Sequence, residues 1–256
     1  MNRFFRPALG LEQFVRFYAL RRMSISGAPV VHPVTARAVP MIEFDFGDPI
    51  NALCCKQRTL KKSPTVVVVG PQTHRRVDLH LQRVFESFVI MFQPDGLYRL
   101  FSIPMHELID KDYEGHAVLG AFISGIRERA GECKSFEERV SLVDEFLLRR
   151  ALASADYNGI SAAANRILVG GGRVAIAALA DRTGLSMRQF ERSLSSGWVC
   201  APSSSRGSPG LKRLLTASRG SPRGPGRMWP TNLGITTRCI WCTTSGSLPA
   251  GRRPRR

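Results

Sequence analysis

The chain has 256 residues, 43% of them hydrophobic, and a formal charge of +17, which allows one large or two small domains with a real core. Its longest purely apolar runs, such as Val66 to Val69, are far too short to span a membrane, and Met1 to Arg6 do not open a secretory signal. Six unevenly placed cysteines form no disulfide framework, so a reduced cytoplasm is the expected compartment.

Residues 1–108 read as a β-rich domain. Val39 to Phe46 alternates apolar and polar residues with period two and stops at Gly47-Asp48-Pro49. Thr65 to Val69 is a β-branched run closed by Gly70-Pro71. Phe88 to Phe92 and Leu97 to Ile103 flank Pro94-Asp95-Gly96. That trio predicts a hairpin turn, because Pro presets φ, Asp bonds its own backbone and Gly accepts φ > 0. A mostly antiparallel sheet or small barrel follows.

From about Met105 the period becomes helical, and 109–170 reads as a helical bridge. Val118, Leu119, Phe122, Ile123 and Ile126 share one helical face. Ser135 starts a helix with Glu138 as its capping-box partner, and Phe136, Val140, Val143 and Leu147 form its apolar stripe. Ile160, Ala164, Ile167 and Leu168 mark another helix, ended by Gly170-Gly171-Gly172.

The segment 171–194 carries the functional motif. Ile176, Leu179 and Ala180 give a first short helix an apolar face, and small Ala180 lets a second helix cross closely. Gly184 stands four residues on, where the chain must turn with φ > 0. Leu185 fills the corner, Ser186 caps the second helix and Phe190 anchors it inward. Arg188 and Arg192, four apart on the outer side, are spaced to meet base edges or phosphates in a major groove. Glu191 could accept from a cytosine amine, Gln189 lies alongside, and Ser186 lies near a phosphate. A plain helical corner with surface charge shares much of this pattern.

The segment resembles the first helix-turn-helix of the AraC/XylS family of bacterial transcription regulators. The family's Leu-Ala-x-x-x-Gly-x-Ser-x-x-x-Phe/Leu-x-Arg pattern is matched by Leu179, Ala180, Gly184, Ser186, Phe190 and Arg192. Upstream, His32 to Ala38, Phe92 to Gly96 and Leu100 to Pro104 resemble, more loosely, the sensory or dimerising half of some members. The resemblance implies promoter double-stranded DNA as partner, a small-molecule effector, a homodimer, and DNA contacts through Ser186, Arg188, Gln189, Glu191 and Arg192. No catalytic constellation is visible in the sequence, and no cofactor or metal is expected.

The family has a second such motif, and the sequence after Arg192 does not supply it. From Ser193 to Arg256 there is no Asp, Glu, His, Phe or Tyr, while eleven of the 37 basic residues lie there, leaving a net +6 on everything upstream. Few large apolar residues and one-sign charge predict a disordered basic tail over 195–256. Moved by one nucleotide, the codons around Met228-Trp229 must encode Val then Ala, and those across Trp241-Cys242 must encode Val. The free positions permit a family-like second motif. The same shift forces Gly at Trp198-Val199, within a stretch resembling the family's linker helix. A frameshift after about Arg192 accounts for the missing residue types.

Cys239-Ile240-Trp241-Cys242 has the spacing of a redox pair but no strand-then-helix context, and the shifted frame explains it. His32, His74, His80, His106 and His116 include no pair at short metal-ligand spacing. The expected architecture is α+β: a β-rich N-terminal domain, a helical bridge, a partial helix-turn-helix and a disordered basic tail. Two rivals are a ligand-binding or dimerising β-domain protein without specific DNA binding, and a small cupin-like enzyme using those histidines.

Overall fold

A computed structural model of the chain describes residues 2–152, 159–170 and 174–197. Within them the expected β-rich N-terminal region is followed by helices. A six-stranded sheet runs in the order β1 (Asn2–Phe5), β2 (Val15–Ser24), β9 (Val84–Phe92), β4 (Met41–Asp45), β7 (Val66–Val69), β10 (Asp112–Glu114). A four-stranded sheet has the order β3 (Val30–Pro33), β8 (Val77–Leu81), β5 (Asn51–Cys54), β6 (Leu60–Lys62). Neighbouring strands are antiparallel throughout. Leu79 and Leu81 of β8 pack with Met23 and Phe85 of the larger sheet, so the two sheets face each other.

The larger sheet is buried on both faces, which explains its unalternating runs. Val66, Val68, Ile42, Phe44, Phe88 and Ile90 join the main core with the helices. Val67, Val69, Met41, Ala19 and Val89 form a second apolar cluster on the opposite face. In β4 every residue is buried, including Glu43 and Asp45. The polar half of its period-two pattern therefore points inward, where Arg21 bonds the Glu43 carboxylate and donates to Ser87 at 3.0 Å.

Several sequence expectations are corrected. Pro94-Asp95-Gly96 is no hairpin turn, and Leu97 to Ile103 is no strand: β9 passes straight into α1 (Gly96–Phe101). Gly96 is needed for close approach, since a Cβ there would lie 2.0 Å from the Phe14 carbonyl oxygen. Buried Leu97 and Leu100, three apart, face the core, as in a helix. The boundary at 108 also cuts the sheet, because β10 returns to pair with β7 after a 3-10 turn at Met105–Leu108.

The face expected from Val118 to Ile126 is split by Gly120, at φ +91°, into α2 (Gly115–Leu119) and α3 (Phe122–Glu132). Helix α4 (Phe136–Ala151) follows its sequence signature. Ser135 Oγ accepts from the Glu138 N–H at 3.1 Å, and Phe136, Val140, Val143 and Leu147 are buried. Arg139 Nη1 donates to Glu86 Oε1 at 2.6 Å, fixing α4 to β9. Helix α5 (Gly159–Val169) buries Ala164 and Ile167 and ends at the first of the three glycines. Gly171 and Gly172 lie outside the described residues; α7 runs on through residues 195–197, where the disordered tail was expected to begin, and the rest of that expected tail lies outside the described residues.

Candidate nucleic-acid interface

Two short helices close the described chain, α6 (Ile176–Thr183) and α7 (Met187–Gly197). Leu179 and Ala180 of α6 are buried, and Ala180 leaves room for α7 to cross. Gly184 ends α6 in the left-handed region at φ +67°, and its N–H donates to the Asp181 carbonyl at 3.1 Å. Leu185 is half-buried against the main core.

The start of α7 is a reciprocal cap. Ser186 Oγ accepts from the Gln189 N–H at 3.3 Å, while Gln189 Oε1 accepts from the Ser186 N–H at 3.0 Å and from its hydroxyl at 2.8 Å. Two otherwise orphaned backbone donors are thereby satisfied. Phe190 and Leu194, four apart, are fully buried and belong to the main core. They pack α7 against α5, α6 and the 3-10 turn at Met105–Leu108. Sequence reasoning missed Leu194, which lies past the change in composition at Arg192. Its spacing from Phe190 was the available signal.

Arg188, Gln189, Ser186 and Arg192 are exposed and Glu191 is half-buried. Arg188 and Arg192 are neighbours on one face of α7, opposite the anchors. Arg182, on the last turn of α6, is exposed as well and adds a cation. Gln189 is engaged by the cap rather than extended outward. In α5, the Ser161 hydroxyl donates to the buried Asp95 carboxylate at the head of α1. Burial raises the Asp95 pKa above its ordinary value, with the Ser161 bond acting the other way.

The histidines do not converge: His32 and His80 sit on the paired strands β3 and β8 but one register step apart, so on opposite faces, and His74, His106 and His116 lie on separate segments. Burial and the nearby Arg21 push the His32 imidazole down to about 4, so it is neutral at ordinary pH. Among the described residues no group of three His, Cys, Asp or Glu side chains is disposed to hold a metal, and no helix is long and apolar enough to cross a membrane.

Residues 3–114 match a family described as a domain of unknown function, DUF6597. The match ends at Glu114, the last residue of β10, and so takes in the two-sheet unit except Asn2. No protein with a curated description is similar to the chain. Several solved structures are. An apo form of a ToxT variant from Vibrio cholerae strain SCE256 is 10% identical, with a TM-score of 0.37, over 78% of this chain and 79% of that one. Wild-type ToxT from the same strain, bound to an unsaturated fatty acid, is 11% identical at TM-score 0.36, over 78% and 77%. CuxR, an AraC-like transcriptional activator, is 11% identical at TM-score 0.29, over 79% and 75%. At these scores no feature of ToxT or CuxR is carried over to this chain.

Proposed function

We propose that this chain is a DNA-binding transcription regulator of AraC/XylS type. A β-rich sensory and dimerising domain (1–108, with β10) is joined by a helical bridge (109–170) to a helix-turn-helix (171–194), and 195–256 is a basic tail. The observation that carries this reading is the pair α6–α7. Its apolar faces are buried, its turn is built on a left-handed glycine, and it presents Arg188 and Arg192 outward. An eleven-residue helix is about 16 Å long, and the major groove is wide enough to admit an α-helix. In this reading Arg188 and Arg192 meet base edges or phosphates. Ser186 and Gln189 hold the start of α7 in place near a phosphate. Glu191 has less freedom to reach a cytosine.

A small-molecule effector and a second copy of the chain are assigned to the β-rich domain, on the family resemblance alone. One helix entering one groove supplies limited specificity, and a second motif would add effective concentration. The chain as it stands should therefore bind DNA in a salt-sensitive, sequence-independent way. With the reading frame restored after Arg192 it should discriminate sequences. The test compares both versions on a promoter fragment and a scrambled one at low and moderate salt. Failure of both to bind DNA would favour the ligand-binding β-domain alternative. Strong discrimination by the chain as it stands would overturn the frameshift reading.

A further inference from the structure

The β5–β6 hairpin concentrates exposed positive charge. Residues 49–77 contain no Asp or Glu but six Lys and Arg: Lys56, Arg58, Lys61, Lys62, Arg75 and Arg76. An ordinary soluble surface intersperses both signs. Arg75 and Arg76 reach carboxylates outside the stretch, Asp78 at 2.7 Å and Asp112 at 3.3 Å. Lys56, Arg58, Lys61 and Lys62 are exposed and make no ion pair among the described residues. Lysines on an edge strand discourage unwanted strand pairing, which accounts for two of them, on β6. It does not account for the cations of the turn or for the missing carboxylates.

The fold gathers these residues at one end of the smaller sheet. The turn is closed by the Cys54 N–H to the Thr59 carbonyl at 2.9 Å, and by the N–H of Arg58, at φ +55°, to the Cys54 carbonyl at 2.8 Å. Strand β8 begins beside it: Val77 stands opposite Cys54, and the Cys55 N–H donates to the Arg76 carbonyl at 2.8 Å. Lys61 stands opposite Ala52 and so shares a face with Ala52 and Cys54, whereas Lys62 takes the other face. The Cys54 thiol registers this convergence. The N–H groups of Gln57 and Lys56 hold its pKa below the ordinary value, the charges of Arg76 and Lys61 add to that, and desolvation opposes it.

The same end is braced on the segment that carries α7. Helix α7 packs on the 3-10 turn at Met105–Leu108. Just beyond it, the Asp110 carboxylate accepts from the Thr73 N–H and hydroxyl, both at 2.7 Å, and Asp112 takes Arg76. Gly70 lies so close that a Cβ there would be 1.8 Å from the Leu108 carbonyl oxygen. One short support, Met105 to Asp112, thus holds both α7 and the arginines beside the hairpin. Two contacts on one support reinforce each other on a polyanion through effective concentration.

We propose that the β5–β6 hairpin is a second DNA surface, on which Lys56, Arg58 and Lys61, with Arg76 beside them, meet backbone phosphates of the duplex that α7 enters. The proposal extends the DNA-binding reading of α7 and rests on it for the choice of polyanion. It places a DNA contact within the domain of unknown function at residues 3–114, outside the helix-turn-helix. Phosphate contacts position a duplex without reading its sequence, so this surface contributes affinity and orientation.

The test is fluorescence anisotropy of the full chain on a labelled duplex over a range of salt concentrations. The doublet Lys56→Gln with Lys61→Gln should bind more weakly, with a slope of log K against log[salt] shallower by up to about 1.8, about 0.9 for each phosphate lost. The doublet Lys56→Arg with Lys61→Arg should keep the wild-type slope. So should Arg129→Gln with Lys134→Gln, which removes the same charge from exposed positions at the end of α3. The substituted positions are exposed, so melting should not change; if the glutamine doublet melts lower, Arg58→Asn carries the test, with about 0.9 of slope expected to go. The proposal is overturned if the glutamine doublet matches wild type, or if the α3 doublet loses as much. A loss for Arg188→Ala alone overturns the hairpin surface and leaves the α7 reading standing. A loss for the hairpin doublet alone supports the hairpin and overturns the α7 reading. If the hairpin doublet weakens binding of poly-L-glutamate but not of DNA, the assignment to DNA falls in favour of an acidic protein.

Discussion

Two glycines in open space should respond oppositely to the same substitution. A Cβ added at Gly184 or at Gly125 meets no atom within 4 Å, so steric clash decides neither case. Gly184 holds φ +67°, a region that costs an L-residue about 1–2 kcal/mol. Gly125 is an exposed position inside α3, where glycine costs about 0.5–1 kcal/mol relative to alanine. Gly184→Ala should therefore destabilise and Gly125→Ala should stabilise. For a chain of this size about 1 kcal/mol shifts Tm by roughly 2–4 °C, so the two variants should separate by several degrees on opposite sides of wild type. Circular dichroism melting of both variants reads this directly. Gly184→Asn should fall between wild type and Gly184→Ala, because asparagine tolerates the left-handed region better. If Gly184→Ala melts at or above wild type, the turn between α6 and α7 is not built as described.

Other substitutions probe the interior and the outer face of α7. Burial raises the Asp45 pKa to about 7. The folded state thus holds a proton that the unfolded state releases near pH 4, and this group lowers stability as pH rises from about 4 to 7. Asp45→Asn should remove that loss, so denaturant titrations at pH 5 and pH 8 should differ less for the variant than for wild type; an equal difference would show that Asp45 ionises freely in the fold. Leu147→Ala, at a fully buried α4 position in the main core, should cost about 2–5 kcal/mol in urea unfolding, and a cost under about 1 kcal/mol would mean that this end of α4 is not packed into that core. Arg188→Ala, at an exposed position, should leave the same unfolding curve unchanged.

Much of the fold was legible because local chemistry and burial agreed. Ser135 with Glu138, followed by the stripe from Phe136 to Leu147, fixed both the start and the buried face of α4. Leu179, Ala180, Gly184 and Phe190 did the same for α6 and α7. Legibility failed where tertiary contact overrode local preference. Pro94-Asp95-Gly96 has the composition of a hairpin turn, but Gly96 is used for its close approach to Phe14, and the Asp95 carboxylate takes the Ser161 hydroxyl of α5. The alternation in β4 suggested a solvated face, yet Glu43 and Asp45 point into the sandwich towards Arg21. Gln189 was expected alongside the base-reading residues, and a capping box spends its side chain on the backbone and hydroxyl of Ser186; residue identity alone does not separate the two uses.

The direct test of the account is the salt dependence of DNA affinity. Fluorescence anisotropy at several salt concentrations gives the slope of log K against log[salt], whose steepness changes by about 0.9 for each phosphate that the protein neutralises. The measurement compares wild type, Arg188→Ala and Arg149→Ala, where Arg149 is an exposed α4 arginine paired with Glu145 and remote in sequence from α7. The account predicts a weaker affinity and a shallower slope for Arg188→Ala, with Arg149→Ala matching wild type. Identical slopes for Arg188→Ala and wild type would contradict the claim that α7 meets DNA.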